Sequence, residues 1–125
     1  MAEADAGPAP VTGTLMQGKR GLVMGVANDR SIAWAIARAC AAQGAEVAFT
    51  YQGEALERRV RPLAESVGSD LVFPCDVADD ASLDSAFAEL GRHWSSLDFL
   101  VHAIGFADKN YLRGRYLDTP RAAFA

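Results

Sequence analysis

The sequence has 125 residues, of which 50% are hydrophobic and 22% are charged. This composition excludes a disordered chain, and the length allows at most one packed globular domain. The formal net charge is −4, with 12 Lys and Arg dispersed among 16 Asp and Glu, so we expect no nucleic-acid or membrane partner.

The first residues carry no targeting signal that we can identify. Residues 1–17 contain two acidic residues and no basic one, and they lack an apolar run long enough for a signal peptide. We therefore expect a cytoplasmic location. The Ala, Pro and Gly content of residues 1–14 predicts a flexible tail, and residues 15–125 are expected to form the N-terminal part of a single domain. Cys40 and Cys75 lie outside any Cys/His cluster, which indicates buried small side chains and no metal site.

The first two strand and helix pairs follow in chain order. An apolar strand is predicted over 20–25, and a helix over 31–43 with Ser31 as N-cap and Gly44 just past its end. A second strand, 46–51, precedes a helix over 54–67 in which Pro62 predicts a kink or a displaced start. The apolar stripes that we expect these helices to bury are Ile32, Ala33, Ile36, Ala37, Cys40 and Ala41 in the first, and Leu56, Val60, Leu63, Ala64 and Val67 in the second.

The pattern then repeats. A third strand is predicted over 70–75, a helix over 80–93 and a fourth strand over 99–104. The third helix is expected to bury Leu83, Ala86, Phe87 and Leu90. Thr119 followed by Pro120 predicts the start of a further helix close to the last residue.

Alternating strands and helices with near-continuous apolar strands predict an α/β fold. The expected architecture is a Rossmann-type, doubly wound parallel sheet with strand order 3-2-1-4. In that order the first and fourth strands are neighbours, and their carboxyl ends open a crevice for a dinucleotide. Because the fourth strand lacks an outer partner, we expect an incomplete domain with its C-terminal strands and helices missing.

The loop after the first strand predicts a phosphate site. Gly25 and Ala27 allow close backbone approach, and Ser31 begins the helix whose N-terminus attracts an anion. The G-x-G-x-x-G fingerprint is absent, and a glycine after a strand is more often a simple turn. Its position in the first βα unit favours the phosphate interpretation.

The ends of the second and third strands offer groups for an adenosine. Gln52 stands where an NAD site usually has an acidic residue. Arg58 and Arg59 follow on a helix where a 2′-phosphate could attract them, but a solvated helix face is the favoured interpretation of these two arginines. NADH is therefore favoured, and NADPH stays open. Asp76 is suited to accept from an adenine amino group, but the alternative of an Asx turn is equally compatible with its position.

Several segments together carry a family resemblance. They are Gly25 followed by Ser31-Ile32-Ala33, AEVAFTYQ at 45–52, CDV at 75–77, FAELG at 87–91 and HAIGFA at 102–107. With these segments the sequence resembles the NADH-dependent enoyl-acyl-carrier-protein reductases of type II fatty acid synthesis, a branch of the short-chain dehydrogenase/reductase superfamily. HAIGFA is the most specific segment, because other short-chain reductases have Asn-Ala-Gly at that strand end.

The resemblance implies a function and a set of site residues. It implies hydride transfer from NADH to the Cβ of a trans-2-enoyl group on acyl carrier protein, in an enzyme that assembles as a homotetramer. The implied cofactor contacts are Gly25, Ser31 and Ile32 at the pyrophosphate, Gln52 at the adenosine, Asp76 and Val77 at the adenine and Ile104 at the nicotinamide; Ala107 falls in the substrate pocket. No catalytic residue is assigned, because neither Lys19 nor Lys109 follows a tyrosine at the spacing of the family's Tyr-x6-Lys pair.

Two alternatives stay open at this point. One is a ketoacyl or alcohol reductase of the same superfamily, which would show Tyr-x3-Lys instead of Tyr-x6-Lys. The other is a nucleotide-binding chain without catalysis. For the 125 residues alone we expect no reductase activity and weak or no NADH binding.

Overall fold

A computed structural model describes residues 9–104 as a parallel sheet with helices between successive strands. The elements are β1 (Arg20–Met24), α1 (Ile32–Ala42), β2 (Glu46–Tyr51), α2 (Glu54–Ser66), β3 (Val72–Pro74), α3 (Asp80–Gly91) and β4 (Phe99–His102). The strand order is β3-β2-β1-β4, which confirms the predicted Rossmann-type topology.

The register aligns the carboxyl ends of the central strands. Met24, the last residue of β1, lies opposite Thr50 of β2 and His102 of β4. Pairing continues one residue further, since the Ala103 N–H donates to the Met24 carbonyl oxygen at 3.0 Å. The turns that follow β1, β2 and β4 therefore begin at the same edge of the sheet.

Each face of the sheet has its own apolar core. Helices α1 and α2 cover one face, where Trp34 packs against Phe49 with ring centroids 6.2 Å apart. Helix α3 covers the other face. The first core comprises Val23, Val26, Ala33, Trp34, Ala37, Val47, Phe49, Val60, Ala64 and Val72, and the second comprises Leu22, Met24, Ala48, Phe73, Cys75, Ala86, Leu90 and Trp94.

Two residues predicted to be buried are not. Ile32 is 76% exposed, because it is the first residue of α1 and lies at the carboxyl edge of the sheet, beyond the end of β1. Trp34, which was absent from the predicted stripe, is buried instead. Phe87 is 40% exposed, since α3 turns Ala86 and Leu90 toward the sheet and leaves Phe87 on its flank beside Leu97.

The predicted element boundaries need smaller corrections. Helix α2 begins at Glu54 and continues through Pro62, so its start is not displaced toward the proline. Burial of Val60 and Ala64 on either side of Pro62 holds the helix against the sheet. β3 and β4 are shorter than predicted, and β1 ends one residue early because Gly25 takes a positive φ of 113°. Both cysteines are free, with Cys75 buried and Cys40 half-buried.

Residues 11–16 contact the C-terminal end of α1. The side chain of Gln43 donates to the Val11 carbonyl oxygen at 2.9 Å, and the Gly13 N–H donates to the Ala42 carbonyl oxygen at 3.0 Å. Residues 1–8 and 105–125 lie outside the described part of the chain, and with them lie the predicted substrate residue Ala107 and the predicted helix start at 119–120. No helix within residues 9–104 has both the length and the apolar character that a membrane span needs.

Candidate functional site

A cavity of about 280 Å³ opens at the carboxyl edge of the sheet, where the topology predicts a dinucleotide site. Its walls come from the turns after β1, β2 and β4 and from the first turns of α2. The lining residues are Gly25, Val26, Ala27, Thr50, Tyr51, Gln52, Leu56, Ala103 and Ile104. Three of the residues implied by the family resemblance, Gly25, Gln52 and Ile104, therefore share one cavity.

Gly25 permits a close approach of two strand ends. A Cβ built at this position would overlap the carbonyl oxygen of Ala103 and would lie 3.2 Å from the Cγ1 of Ile104. The positive φ of Gly25, 113°, is also a conformation that other residues rarely adopt. The glycine thus allows the ends of β1 and β4 to lie close together at the cavity wall.

Ser31 organises the loop between β1 and α1. Its Oγ accepts hydrogen bonds from the backbone N–H of Ala27 at 2.9 Å and of Asn28 at 3.1 Å. The side chain of Asn28 closes an Asx turn by accepting from the Arg30 N–H at 2.8 Å. Since the Ser31 oxygen accepts twice, its own hydroxyl proton is left to donate elsewhere.

The N-terminus of α1 provides further donors beside this hydroxyl. Ser31 is the N-cap, as predicted, but its side chain makes no capping hydrogen bond to the helix. The first backbone N–H groups of a helix have no intrahelical acceptor, and the helix dipole adds positive potential there. The main chain of Ile32 lies at this helix end and its side chain is exposed, but neither Ser31 nor Ile32 is among the residues that line the cavity.

Tyr51 ties the end of β2 to helix α2. Its hydroxyl donates to the Glu57 Oε2 at 2.7 Å, and the same carboxylate oxygen accepts from the Arg61 Nη2 at 3.1 Å. Partial burial, followed by the hydrogen bond and the charge of Glu57, raises the pKa of Tyr51. The hydrogen bond from Tyr51, together with that from Arg61, lowers the pKa of Glu57. At neutral pH the pair is thus a neutral phenol bonded to an ionised carboxylate.

Asp76 and Val77 follow β3 and are not among the cavity-lining residues. The Oδ1 of Asp76 accepts from the Ala78 N–H at 3.0 Å, which is the Asx turn that the sequence left as an alternative. The Asp76 N–H donates to the Ser82 Oγ at 2.8 Å, and Val77 packs partly buried beside the α3 core. One Asp76 carboxylate oxygen is therefore engaged in the turn.

Sequence reasoning missed part of the cavity wall. Tyr51 and Leu56 line it, although the sequence presented them only as a strand end and a helix core position. The signal available in the sequence was Gly53, a turn residue between Tyr51 and Glu57, which takes a positive φ of 88° in the structure. Arg58 and Arg59 are exposed and line no part of the cavity, which agrees with the favoured prediction of a solvated helix face.

Comparison with known proteins decides the family. The family model described as enoyl-(acyl carrier protein) reductase matches residues 25–125. The chain belongs to this family. The resemblance carried by Ser31-Ile32-Ala33 and HAIGFA is thereby confirmed.

Individual enoyl reductases show the same relationship. The chain is 61% identical over 111 residues to the enoyl-[acyl-carrier-protein] reductase [NADH] 2 of Rhizobium meliloti, a match that covers 89% of this chain and 41% of that protein. It is 54% identical to the NADH enoyl reductase of Neisseria meningitidis over 110 residues, 87% of this chain and 42% of the relative. The chain therefore spans about two-fifths of the length of these curated relatives.

Solved enoyl reductase structures share the fold. The crystal structure of FabI from Candidatus Liberibacter asiaticus superposes with a TM-score of 0.77 at 50% identity, covering 90% of this chain and 43% of that one. The enoyl reductase of Anaplasma phagocytophilum, solved in complex with NAD, gives a TM-score of 0.76 at 56% identity, covering 91% and 44%.

Proposed function

We propose that this chain forms the cofactor-binding part of an NADH-dependent enoyl-acyl-carrier-protein reductase. The reaction adds a hydride from the nicotinamide to Cβ of the enoyl thioester and a proton to Cα. Family membership and the NADH dependence of the Rhizobium and Neisseria relatives support the proposal. The pathway is then type II fatty acid biosynthesis in the cytoplasm, and a homotetramer is the expected assembly.

The observation that carries the proposal is the loop between Gly25, which lines the cavity, and Ser31, whose side chain holds that loop. Ser31 Oγ accepts hydrogen bonds from two N–H groups of the loop. The loop conformation is therefore stabilised although the G-x-G-x-x-G fingerprint is absent. The remaining hydroxyl proton of Ser31 and the first N–H groups of α1 are suited to a pyrophosphate. Gly25 lets the ends of β1 and β4 meet at the cavity wall, because a side chain there would overlap Ala103.

The remaining residues are proposed to contact different parts of the dinucleotide along the cavity. Gln52, exposed at the end of β2, is proposed to contact the adenosine, and Ile104, across the cavity on the β4 side, the nicotinamide end. Asp76 and Val77 are proposed at the adenine, which requires the ring to extend past Gln52 toward β3. Ala107 remains a proposed substrate contact.

No residue of the chain is proposed as the proton donor. The nicotinamide supplies the hydride when it is bound, and this chain's residues bind and orient it. Neither Lys19 nor Lys109 has a tyrosine at the family's spacing, so we expect no turnover from the 125 residues by themselves.

The test is a hybrid enzyme in which residues 1–125 are joined to the remainder of the Rhizobium meliloti relative. We expect it to oxidise NADH in the presence of a trans-2-enoyl thioester. Ser31→Ala should raise KM for NADH by about tenfold, because one phosphate donor and the loop's acceptor are both lost. The matched control is Ser66→Ala, since that hydroxyl donates to the Leu63 carbonyl oxygen at the far end of α2.

The outcomes separate the alternatives. Activity on a 3-ketoacyl thioester without activity on the enoyl thioester would place the protein among the ketoacyl reductases. A folded hybrid that binds neither NADH nor NADPH would contradict the proposed cofactor site. Equal KM values for Ser31→Ala and Ser66→Ala would show that Ser31 does not contribute to NADH binding.

A further inference from the structure

Helix α2 begins beside the cavity without a side-chain cap. Its N-cap is Gly53, which has no side chain to accept from the first N–H groups of the helix. Gly53 has a positive φ of 88°, and a Cβ built there would meet nothing within 4 Å. Neither a capping side chain nor packing at Gly53 therefore holds the first turn of α2 in place.

A side-chain hydrogen bond joins the end of β2 to this first turn. The Tyr51 hydroxyl donates to the Glu57 Oε2 at 2.7 Å, across the turn formed by Gln52 and Gly53. The Arg61 Nη2, one helical turn farther along, donates to the same oxygen at 3.1 Å. The carboxylate is thus bonded on both sides, and the phenol of Tyr51 has its partner on α2 before any ligand binds.

This bond orders one side of the cavity wall. Tyr51, Gln52 and Leu56 all line the cavity. Tyr51 is half-buried and packs at the edge of the core that α1 and α2 cover. Leu56 directly precedes Glu57 in the first turns of α2, so a bond that fixes Glu57 against Tyr51 also fixes Leu56 relative to the strand. The cavity wall between β2 and α2 therefore depends on the Tyr51–Glu57 bond.

The rest of α2 is held independently of this bond. Val60 and Ala64 are fully buried against the sheet, and the helix continues to Ser66. Burial of an apolar face supplies most of the stability of a helix in a folded protein. Loss of the Tyr51–Glu57 bond should therefore loosen the cavity wall and leave the helix folded.

We infer that Glu57 is a positioning residue of the cofactor site, which holds the Tyr51 ring in the cavity wall beside the adenosine by accepting the Tyr51 hydroxyl. An aromatic ring is a suitable apolar surface for a nucleoside, and its hydroxyl needs a polar partner when it is partly buried. Because Glu57 supplies this partner in advance, cofactor binding does not have to immobilise the ring. This inference rests on the proposed function.

The experiment measures KM for NADH and kcat in the hybrid enzyme and its variants. Glu57→Ala removes the acceptor and should raise KM for NADH by roughly three- to tenfold with kcat unchanged, since the ring must then be ordered on binding. Tyr51→Phe keeps the ring and loses the bond, so it should have the same effect. The double variant should be no worse than either single variant, because both remove one shared interaction.

Two further variants separate the hydrogen bond from the charge and from a general loss of stability. Glu57→Gln removes the charge but keeps an oxygen that can accept from Tyr51, so it should restore most of the affinity lost in Glu57→Ala. Glu89→Ala is the matched control. It removes a similarly exposed glutamate that pairs with an arginine of its own helix, Arg92 at 3.2 Å, on the opposite face of the sheet. Its KM for NADH should equal that of the parent.

Each outcome bears on one statement. A raised KM in Glu57→Ala and Tyr51→Phe that is largely restored in Glu57→Gln and absent in Glu89→Ala supports the inference. Equal KM increases in Glu57→Ala and Glu57→Gln, or additive increases in the double variant, overturn it and leave the proposed function intact. If Glu57→Ala does not fold, a parental KM in Tyr51→Phe overturns it in the same way. Failure of the parent hybrid to bind NADH overturns the proposed function, and the inference with it.

Discussion

A side chain at Gly25 would overlap the carbonyl oxygen of Ala103, because the ends of β1 and β4 meet at this point. Gly25→Ala therefore has to move backbone and also to adopt a φ near 113°. We expect a loss of about 2–4 kcal/mol in the free energy of unfolding, measured by urea denaturation.

Gly68→Ala separates the overlap from the backbone conformation. Gly68 also has a positive φ, 79°, but a Cβ there would meet nothing within 4 Å. The expected loss is about 1–2 kcal/mol, which is the cost of the left-handed conformation alone. Equal losses for the two variants would show that the contact with Ala103 contributes nothing.

The Tyr51–Glu57 hydrogen bond predicts that the free energy of unfolding falls at both high and low pH, for a different group in each case. The pKa of Tyr51 is raised by burial and by Glu57, so its contribution to stability is present below the ordinary tyrosine pKa and lost as pH rises through the folded value. The pKa of Glu57 is lowered, so its contribution is present above the ordinary glutamate pKa and lost as pH falls through the folded value.

Glu57→Gln tests this coupling directly. Because the neutral amide removes the carboxylate charge, the pKa of Tyr51 should fall toward its ordinary value while burial keeps it somewhat raised. NMR titration of ring-labelled tyrosine measures this, with Tyr51→Phe identifying the signal. A Tyr51 pKa that does not move in Glu57→Gln would contradict the hydrogen bond.

Strand order and the place of the cavity were predictable, because they follow from the alternation of apolar strands and amphipathic helices and from the right-handed crossover rule. The side-chain environment was predicted less well. Ile32 fitted the helical period of the α1 core, yet its position at the first turn leaves it exposed. Periodicity identifies one face of a helix but does not show where along the axis the sheet ends.

In the loop after β1, too, the location of the site was predictable but the side-chain contacts were not. Small residues before a helix predicted a phosphate site, but not that Ser31 Oγ would accept two loop N–H groups instead of capping the helix. Both arrangements satisfy the hydroxyl, and the choice depends on the path of residues 26–30. Likewise, the pairing of Tyr51 with Glu57 depends on the Gly53 turn, which composition alone does not determine.

Thr50 lies buried at the end of β2, and within the described residues its Oγ1 has no hydrogen-bond partner. Thr50→Val replaces this hydroxyl with a methyl group of similar size, so we expect a gain of about 1 kcal/mol in the free energy of unfolding. Thr50→Ser, which keeps the hydroxyl and loses the methyl group, should cost about 1 kcal/mol. Destabilisation by valine would show that Oγ1 is satisfied in solution, for example by water.

Gln43 holds the segment that precedes β1 against the C-terminal end of α1. Its Nε2 donates to the Val11 carbonyl oxygen at 2.9 Å, and its Oε1 accepts from the Leu15 N–H at 3.3 Å. Gln43→Ala removes both bonds, so amide hydrogen exchange at Gly13 and Leu15 should accelerate by about fivefold, corresponding to roughly 1 kcal/mol. Exchange within β1 should stay unchanged, because its partners lie in β2 and β4.

The control is Gln17→Ala, an exposed position whose side chain has no hydrogen bond in residues 9–104. If Gln17→Ala accelerates exchange at Gly13 as much as Gln43→Ala does, the side-chain bonds of Gln43 do not hold the segment. If neither variant changes it, the backbone bonds from Gly13 to Ala42 and from Met16 to Gln43, at 3.0 and 2.8 Å, are sufficient by themselves.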